Sequence, residues 1–227
     1  VDWDYFFHDK LGEEGPDFLL YDWSHKETPF YTNSLWEIRA SNFLRYGLKL
    51  PQTTGEERSF WAHFKFSKKA ELYYAESHSF AALPSISQGV TEVWSFDAHH
   101  DTGYGKELPL GRITCENWFS YYRSLGADRL HLRYPRWKSL AMVEEPSIPL
   151  DRNFADLSEV KGIVFRRIFI CRSGAWVPSW LDAGFEGFIK SCPVRKKTCL
   201  ERGEMLSPRK FDLGAAKKMA QPLEFLH

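Results

Sequence analysis

The sequence has no surplus of charge: 30 basic residues stand against 30 acidic ones in 227. It therefore lacks the basic excess that a generic nucleic-acid binder carries. It has no CxxC pair, and its four cysteines, Cys115, Cys171, Cys192 and Cys199, are widely spaced. A chain this long does not need disulfide staples, so free, buried thiols are expected. No window approaches 18 uninterrupted apolar residues, so no membrane-spanning helix is expected. The opening VDWDYFF, with two acids in four residues, does not read as a signal peptide. Internal repeats, low-complexity linkers and a GxSxG nucleophile elbow are all missing. These absences point to one soluble, cytoplasmic domain over 1–227, long enough to bury a core. Its expected partner is a small molecule rather than a nucleic acid or a membrane. Aromatic residues are plentiful, at 16% with nine Trp. Such rings fill cores and shape pockets at low entropic cost.

Short runs bounded by Gly, Pro, Ser or Asp read as strands. They are VDWDYFF (1–7), ELYYAE (71–76), TEVWSFDA (91–98), RLHLRYP (129–135), SLAMV (139–143) and VFRRIFICR (164–172). Helical spacing appears between them, over 33–47, 56–66, 113–127 and 179–192, with a fifth stretch in the tail RKFDLGAAKKMAQP. Asn33 or Ser34 and Ser179 are the expected N-caps, and Gly47 the expected C-cap. Strands alternating with helices predict an α/β fold, a three-layer α/β/α sandwich with a mostly parallel sheet. In such sheets ligands bind beyond the carboxyl ends of the strands.

One crowded stretch, DAHHD (97–101), follows the apolar run Val93–Phe96. On an extended segment, alternation points Asp97, His99 and Asp101 the same way. Two carboxylates and an imidazole at a strand end suit Mn²⁺, Fe²⁺ or Zn²⁺. A solvated turn is the plain alternative. His78 lies just past another expected strand. Asp2 and Asp4 stand two apart in the apolar opening, where like charges repel unless a cation lies between them. Together Asp2, Asp4, His78, Asp97, His99 and Asp101 are enough to hold two divalent ions with shared carboxylates. Two such ions can bind a water between them and lower its pKa.

These residues resemble the arginase/deacetylase (ureohydrolase) superfamily. DAHHD matches the family's DAHxD stretch, ESHS (76–79) partly matches its GGDHS stretch, and VDWDYF (1–6) resembles its DxD strand. The resemblance implies that His78, Asp97, Asp101 and Asp2 hold one ion, and Asp97, His99, Asp2 and Asp4 the other. Asp97 and Asp2 would bridge, and Asp101 would also orient the hydroxide held by the metals. The implied activity is hydrolysis of a C–N bond in a guanidino, ureido or amide substrate, with Mn²⁺ the first choice of metal and Fe or Zn next. The family's DxD strand follows DAHxD, whereas here it comes first, which implies a circular permutation. If VDWD is not that strand, the family order puts it at IFICRSGAWVP, where Cys171 and Ser173 stand in place of carboxylates. The segment after DAHHD, TCENWFSYY, has no histidine to shuttle protons, and no acid that would grip a guanidinium is evident. A catalytically inactive protein of the same fold, binding a metal, a small ligand or a partner protein, is the alternative. His99–His100 also resembles the tandem histidines of the related zinc deacetylases. Strict alternation, however, points His100 away from His99.

Three further residues are candidates for substrate contact. Glu116 and Asn117 fall in the first turn of the helix after DAHHD, where an acid is favoured in any case. Arg172 follows a strong strand, and its fork suits a carboxylate or phosphate. The basic, aromatic-interleaved RLHLRYPRWK (129–138) reads as a strand with alternating core and surface residues, rather than as a nucleic-acid surface.

Overall fold

The computed structural model of the chain describes residues 1–7, 26–104, 112–138, 143–201 and 206–221. Six strands form: β1 (Lys65–Ala75), β2 (Glu92–Phe96), β3 (Arg129–Tyr134), β4 (Asp151–Phe154), β5 (Val164–Cys171) and β6 (Lys196–Cys199). They make two three-stranded sheets, ordered β5-β1-β6 and β2-β3-β4, and every pairing is parallel. The opening residues join them. The Val1 nitrogen donates to the Phe169 carbonyl at 2.8 Å, and Cys171 N–H donates to the Val1 carbonyl at 3.0 Å. On the other side Asp2 N–H donates to the Phe96 carbonyl at 2.9 Å. Val1 and Asp2 thus lie between the carboxyl ends of β5 and β2.

Strands β1 and β5 are apolar on both faces over their carboxyl halves, as buried parallel strands are. Leu72, Ile168 and Ile170 face one core, with Trp36 and Phe43 of α1 (Leu35–Arg45) and Phe185 and Phe188 of α4 (Asp182–Ser191). Tyr73, Ala75, Phe169 and Cys171 face the other. That second core is closed by Ile86 of α2 (Pro84–Ser87) and by Trp118, Phe119 and Tyr122 of α3 (Trp118–Ser124). A last helix, α5 (Leu213–Ala220), lies against α1, and Arg45 donates to the Met219 carbonyl at 3.0 Å. Helices on both faces of parallel strands make the expected α/β/α arrangement.

Several local expectations are corrected. The opening is not a strand beyond Asp2: Trp3–Phe6 is a 3₁₀ turn capped by the Asp2 carboxylate, which accepts from Asp4 N–H at 3.1 Å. Residues 56–66 are not a helix. They form two short turns, Glu56–Arg58 and Phe60–His63, before β1 begins at Lys65. Aromatic residues are weak helix formers, and Phe60 and Trp61 are buried here in the first core. Neither expected N-cap acts as one: Ser34 is helical and closes a π turn, while Ser179 starts a 3₁₀ turn ahead of α4. Gly47 does end α1, at φ +70°. Strands β4 and β6, four residues each, were not anticipated, because their sequences DRNF and KKTC carry no apolar run. The expected strand 139–143 falls almost wholly outside the described residues. All four cysteines are free thiols. Among the described residues no helix is long and apolar enough to cross a membrane.

The first core is dense in rings. Phe188 packs on Trp61 at 4.5 Å between centroids, Phe6 at 5.0 Å and Trp3 at 5.4 Å. Phe188→Ala is expected to cost about 3–5 kcal/mol and, through Trp3, to loosen the turn that carries Asp4. Denaturant unfolding checks this; a midpoint close to that of the parent would contradict it.

Candidate metal centre

Four chain segments meet where the strands end. His78 follows β1 and opens a 3₁₀ turn whose start is capped by the Ser77 hydroxyl. Asp97 follows β2 directly, and Asp2 and Asp4 enter from the opening turn. The fourth segment, Arg172–Ser173, leaves β5. The reason for convergence differs from the expected one. Neither DAHHD nor VDWD is an extended strand, so alternation does not align their side chains. Asp101 instead turns back through a left-handed backbone at φ +48°. Ser173 is left-handed too, at φ +50°. These are the two non-glycine positive φ values among the described residues, and both lie at this site. Such conformations cost energy and persist where the surroundings impose them.

All six expected ligands are brought together. His78 Nδ1 lies 3.0 Å from Asp2 Oδ2, 3.0 Å from Asp101 Oδ2 and 3.4 Å from Asp97 Oδ2. His99 Nδ1 lies 2.8 Å from Asp4 Oδ2 and 3.9 Å from Asp97 Oδ1. Two compact groups of possible ligand atoms result, each with its atoms within 4.8 Å of one another: Asp2, His78, Asp97 and Asp101, then Asp4, Asp97 and His99. Asp97 belongs to both, one oxygen turned to each histidine. Asp2, expected as a second bridge, belongs to the His78 side only. A third group, Asp2, His78 and Cys171, overlaps the first.

The donor chemistry fits a cation. A single imidazole N–H cannot serve three carboxylates at once. Asp97 Oδ2 is buried with no hydrogen-bond partner, and an orphaned buried oxygen is costly. Hard oxygen donors with one imidazole per group are what Mn²⁺, Fe²⁺ or Zn²⁺ accepts. The remaining lone pairs are held from outside the groups. Asp101 Oδ2 accepts from Trp118 Nε1 at 2.7 Å, Asp2 Oδ2 from the Ser173 hydroxyl at 2.6 Å, and Asp4 Oδ1 from Ala98 N–H at 3.3 Å.

The protonation tendencies say the same. Burial, then the charges of Asp101, Asp4 and Asp2, push Asp97 well above the usual carboxylate range. Burial and the Asp2 charge raise Asp4. Burial works upward on Asp2 as well, but the neighbouring His78 outweighs it and holds Asp2 low. Burial works downward on both histidines; the Asp2 charge overrides it and lifts His78 well up, and Asp4 does the same for His99. In the absence of a cation the cluster retains protons to relieve its own repulsion.

A cavity of about 290 Å³ opens on this cluster. Tyr104, Cys115, Glu116, Glu144, Ser173 and Trp176 line it beside the ligands. Glu116 thus faces the site, but from the turn before α3 rather than from its first helical turn, since the helix begins at Trp118 with Asn117 as its N-cap. Asn117 and Arg172 are not among the lining residues. The Asn117 amide spans the loop before α3, accepting from Thr114 N–H and donating to the Arg112 carbonyl. Arg172 is buried in a structural network with Glu76, Asp182 and the Ser207 carbonyl, and this replaces its expected role in substrate binding. His100 is turned from the ligands: its Nδ1 accepts from Thr102 N–H at 3.1 Å and its ring stacks on Tyr104 at 4.2 Å. Tyr104, Cys115 and Glu144 carry no local motif, so nothing in the sequence pointed to them. The basic stretch 129–138 is largely structural, with Arg133 buried against Asp151 and Glu159.

No protein-family model, curated protein or solved structure matches this chain.

The pKa directions set a pH trend. Asp97, Asp4, His78 and His99 bind protons more tightly folded than unfolded. Each stabilises the fold below its unfolded pKa and loses that contribution as pH rises through its folded one. The carboxylates act from about pH 4 upward and the imidazoles from about 6.5 upward. Asp2 has the opposite shift, and its contribution is lost only as pH falls below about 4. The chelated protein should therefore lose thermal stability from about pH 5 to about pH 9. Added Mn²⁺ should restore more at the high end, because metal ligands must be deprotonated. Thermal melts in chelator and in Mn²⁺ across that range check both; a chelated melting point that climbs with pH would contradict the cluster's charge balance.

Proposed function

We propose that the protein is a dinuclear metal-dependent hydrolase of a C–N bond in a small guanidino, ureido or amide compound. We further propose that it is a divergent, circularly permuted relative of the arginase/deacetylase superfamily acting in the cytoplasm. The observation that carries the reading is Asp97, shared by two groups of possible ligands whose other members come from the opening turn, the turn after β1 and the rest of DAHHD. Asp4 beside His99 at 2.8 Å supports the permuted order, since it puts the opening DxD in contact with DAHHD. Asp2, His78, Asp97 and Asp101 would hold one ion, and Asp4, Asp97 and His99 the other. Mn²⁺ suits this oxygen-rich set best, with Fe²⁺ or Zn²⁺ next. When bound, such ions lower the pKa of a water and polarise the bond to be cleaved. The chain's own contribution is to aim and to exclude water. Asp101, pinned by Trp118 Nε1, presents its second oxygen near the cavity, where Tyr104 donates at 3.4 Å. Glu116 and Glu144 add acidic groups to the cavity wall.

A non-catalytic binding protein of this fold is the second reading. It is favoured by one feature: the described lining residues include no imidazole besides the two ligand histidines.

Metal analysis should give about two ions per chain, and chelation should lower the melting temperature because bound metal stabilises by mass action. Asp97→Asn should abolish binding of both ions, while Asp4→Asn should leave about one. An Asp97→Asn protein with full metal content would remove Asp97 as a bridge. In Mn²⁺, a panel of guanidino, ureido and acyl-amine compounds should yield turnover that Asp101→Asn reduces by about 10²-fold or more. Silence on the whole panel with both metals present would select the binding reading.

A further inference from the structure

The two sheets do not meet along their full length. Val1 and Asp2 fill the space between β5 and β2 only at the carboxyl ends. Farther down, β5 and β2 are both edge strands, and a slot runs between them.

Its edges are complementary to a strand. In a parallel ladder the N–H and C=O of alternate residues point to the same neighbour. Arg172 N–H donates to the Ala75 carbonyl, which turns the even residues of β5 toward β1. Phe169 and Cys171 pair with Val1, so Phe165 and Arg167 turn their backbone the same way, into the slot. On β2, Asp97 N–H goes to the Arg133 carbonyl of β3 while the Phe96 carbonyl accepts from Asp2. Glu92 and Trp94 therefore turn toward the slot from the opposite side. Buried edges of this kind are a liability unless paired.

The walls are largely apolar on both faces, with Glu92 and Arg167 as the charged residues among them. Trp61, Phe64 and Phe66 line one side and Ile86, Trp118 and Tyr122 the other, with Val1 at the inner end. The outer mouth, of about 900 Å³, opens between Lys68, Lys69 and Arg166. A strand in this position would bury both faces, unlike an ordinary edge strand.

We propose that this slot is a strand-binding site, and that its occupant is an extended apolar segment of about four residues. The segment runs parallel to β5 and β2 and leads covalently into Val1. The argument for this occupant is continuity, because Val1 already pairs with β5 in the line and direction of the slot. With the strand in place the two half-sheets become one seven-stranded parallel sheet. This inference stands apart from the metal centre and does not depend on catalysis.

The test adds tetrapeptides ahead of Val1 in the full chain. Ile-Val-Ile-Val should raise the melting temperature by about 5 °C or more over Gly-Ser-Gly-Ser. It should also slow hydrogen exchange at the Arg167, Phe169 and Trp94 amides by about tenfold or more. Asp-Val-Asp-Val, which keeps one apolar face and places carboxylates on the other, should give neither effect. Equal melting points and exchange for all three extensions would overturn the proposal. Stabilisation by the free Ile-Val-Ile-Val peptide but not by its fused form would also overturn it, in favour of a separate partner strand.

Discussion

The backbone of Val1 and Asp2 is the joint on which this molecule turns. Their hydrogen bonds to Phe169, Cys171 and Phe96 hold two three-stranded sheets side by side. The same joint places the Asp2 carboxylate between the ends of β5 and β2, and the 3₁₀ turn that follows carries Asp4 to His99. The turn is held in its own right by rings: Trp3 and Phe6 pack on Phe188, and Tyr5 packs on Phe96 at the end of β2. Core packing and ligand placement are thus one set of contacts seen from two sides.

The electrostatics of the cluster run against folding. Four carboxylates converge with two imidazoles; burial and neighbouring carboxylates raise Asp4 and Asp97, while His78 holds Asp2 low. Two residues of the site adopt left-handed backbones that other side chains avoid. Asp97 leaves one oxygen buried without a partner. Left-handed backbone, mutual repulsion and an acceptor without a partner coincide here, and such features cluster at functional sites. Around it the chain invests in fixed geometry: Trp118 holds Asp101, Ser173 holds Asp2, and the Arg172–Glu76 pair buttresses the turn beside Ser173. Outer partners of this kind orient ligands and tune the affinity of a metal.

Much of this was legible in the sequence, for identifiable reasons. The apolar runs at 71–76, 91–98, 129–135 and 164–172 carry four of the six strands, β1, β2, β3 and β5, because strand positions that face a core must be apolar. The six ligand residues stood out because charge at the end of an apolar run is expensive. The route by which they meet was not legible. Alternation on an extended strand predicts that Asp97, His99 and Asp101 share a face, yet the strand ends at Phe96 and a left-handed turn at Asp101 does the work. A turn of this kind is set by what surrounds it, and Asp tolerates it without announcing it. Arg172 was misjudged for a related reason: its sequence position at a sheet end is right, but Glu76 and Asp182 reach it from elements far away in the chain.

By itself the sequence determined the α/β class, the apolar strands and the set of six acid and imidazole side chains, since composition and local period carry that information. Only the tertiary structure decided that Asp2 lies in one of the two groups of possible ligand atoms while Asp97 lies in both, and that His100 faces Tyr104. It alone brought Cys115 and Glu144 to one cavity wall and left a slot between β5 and β2 below Val1. Each of these depends on which distant segments become neighbours, and hydrogen bonds between strand ends settle that rather than the residues in between.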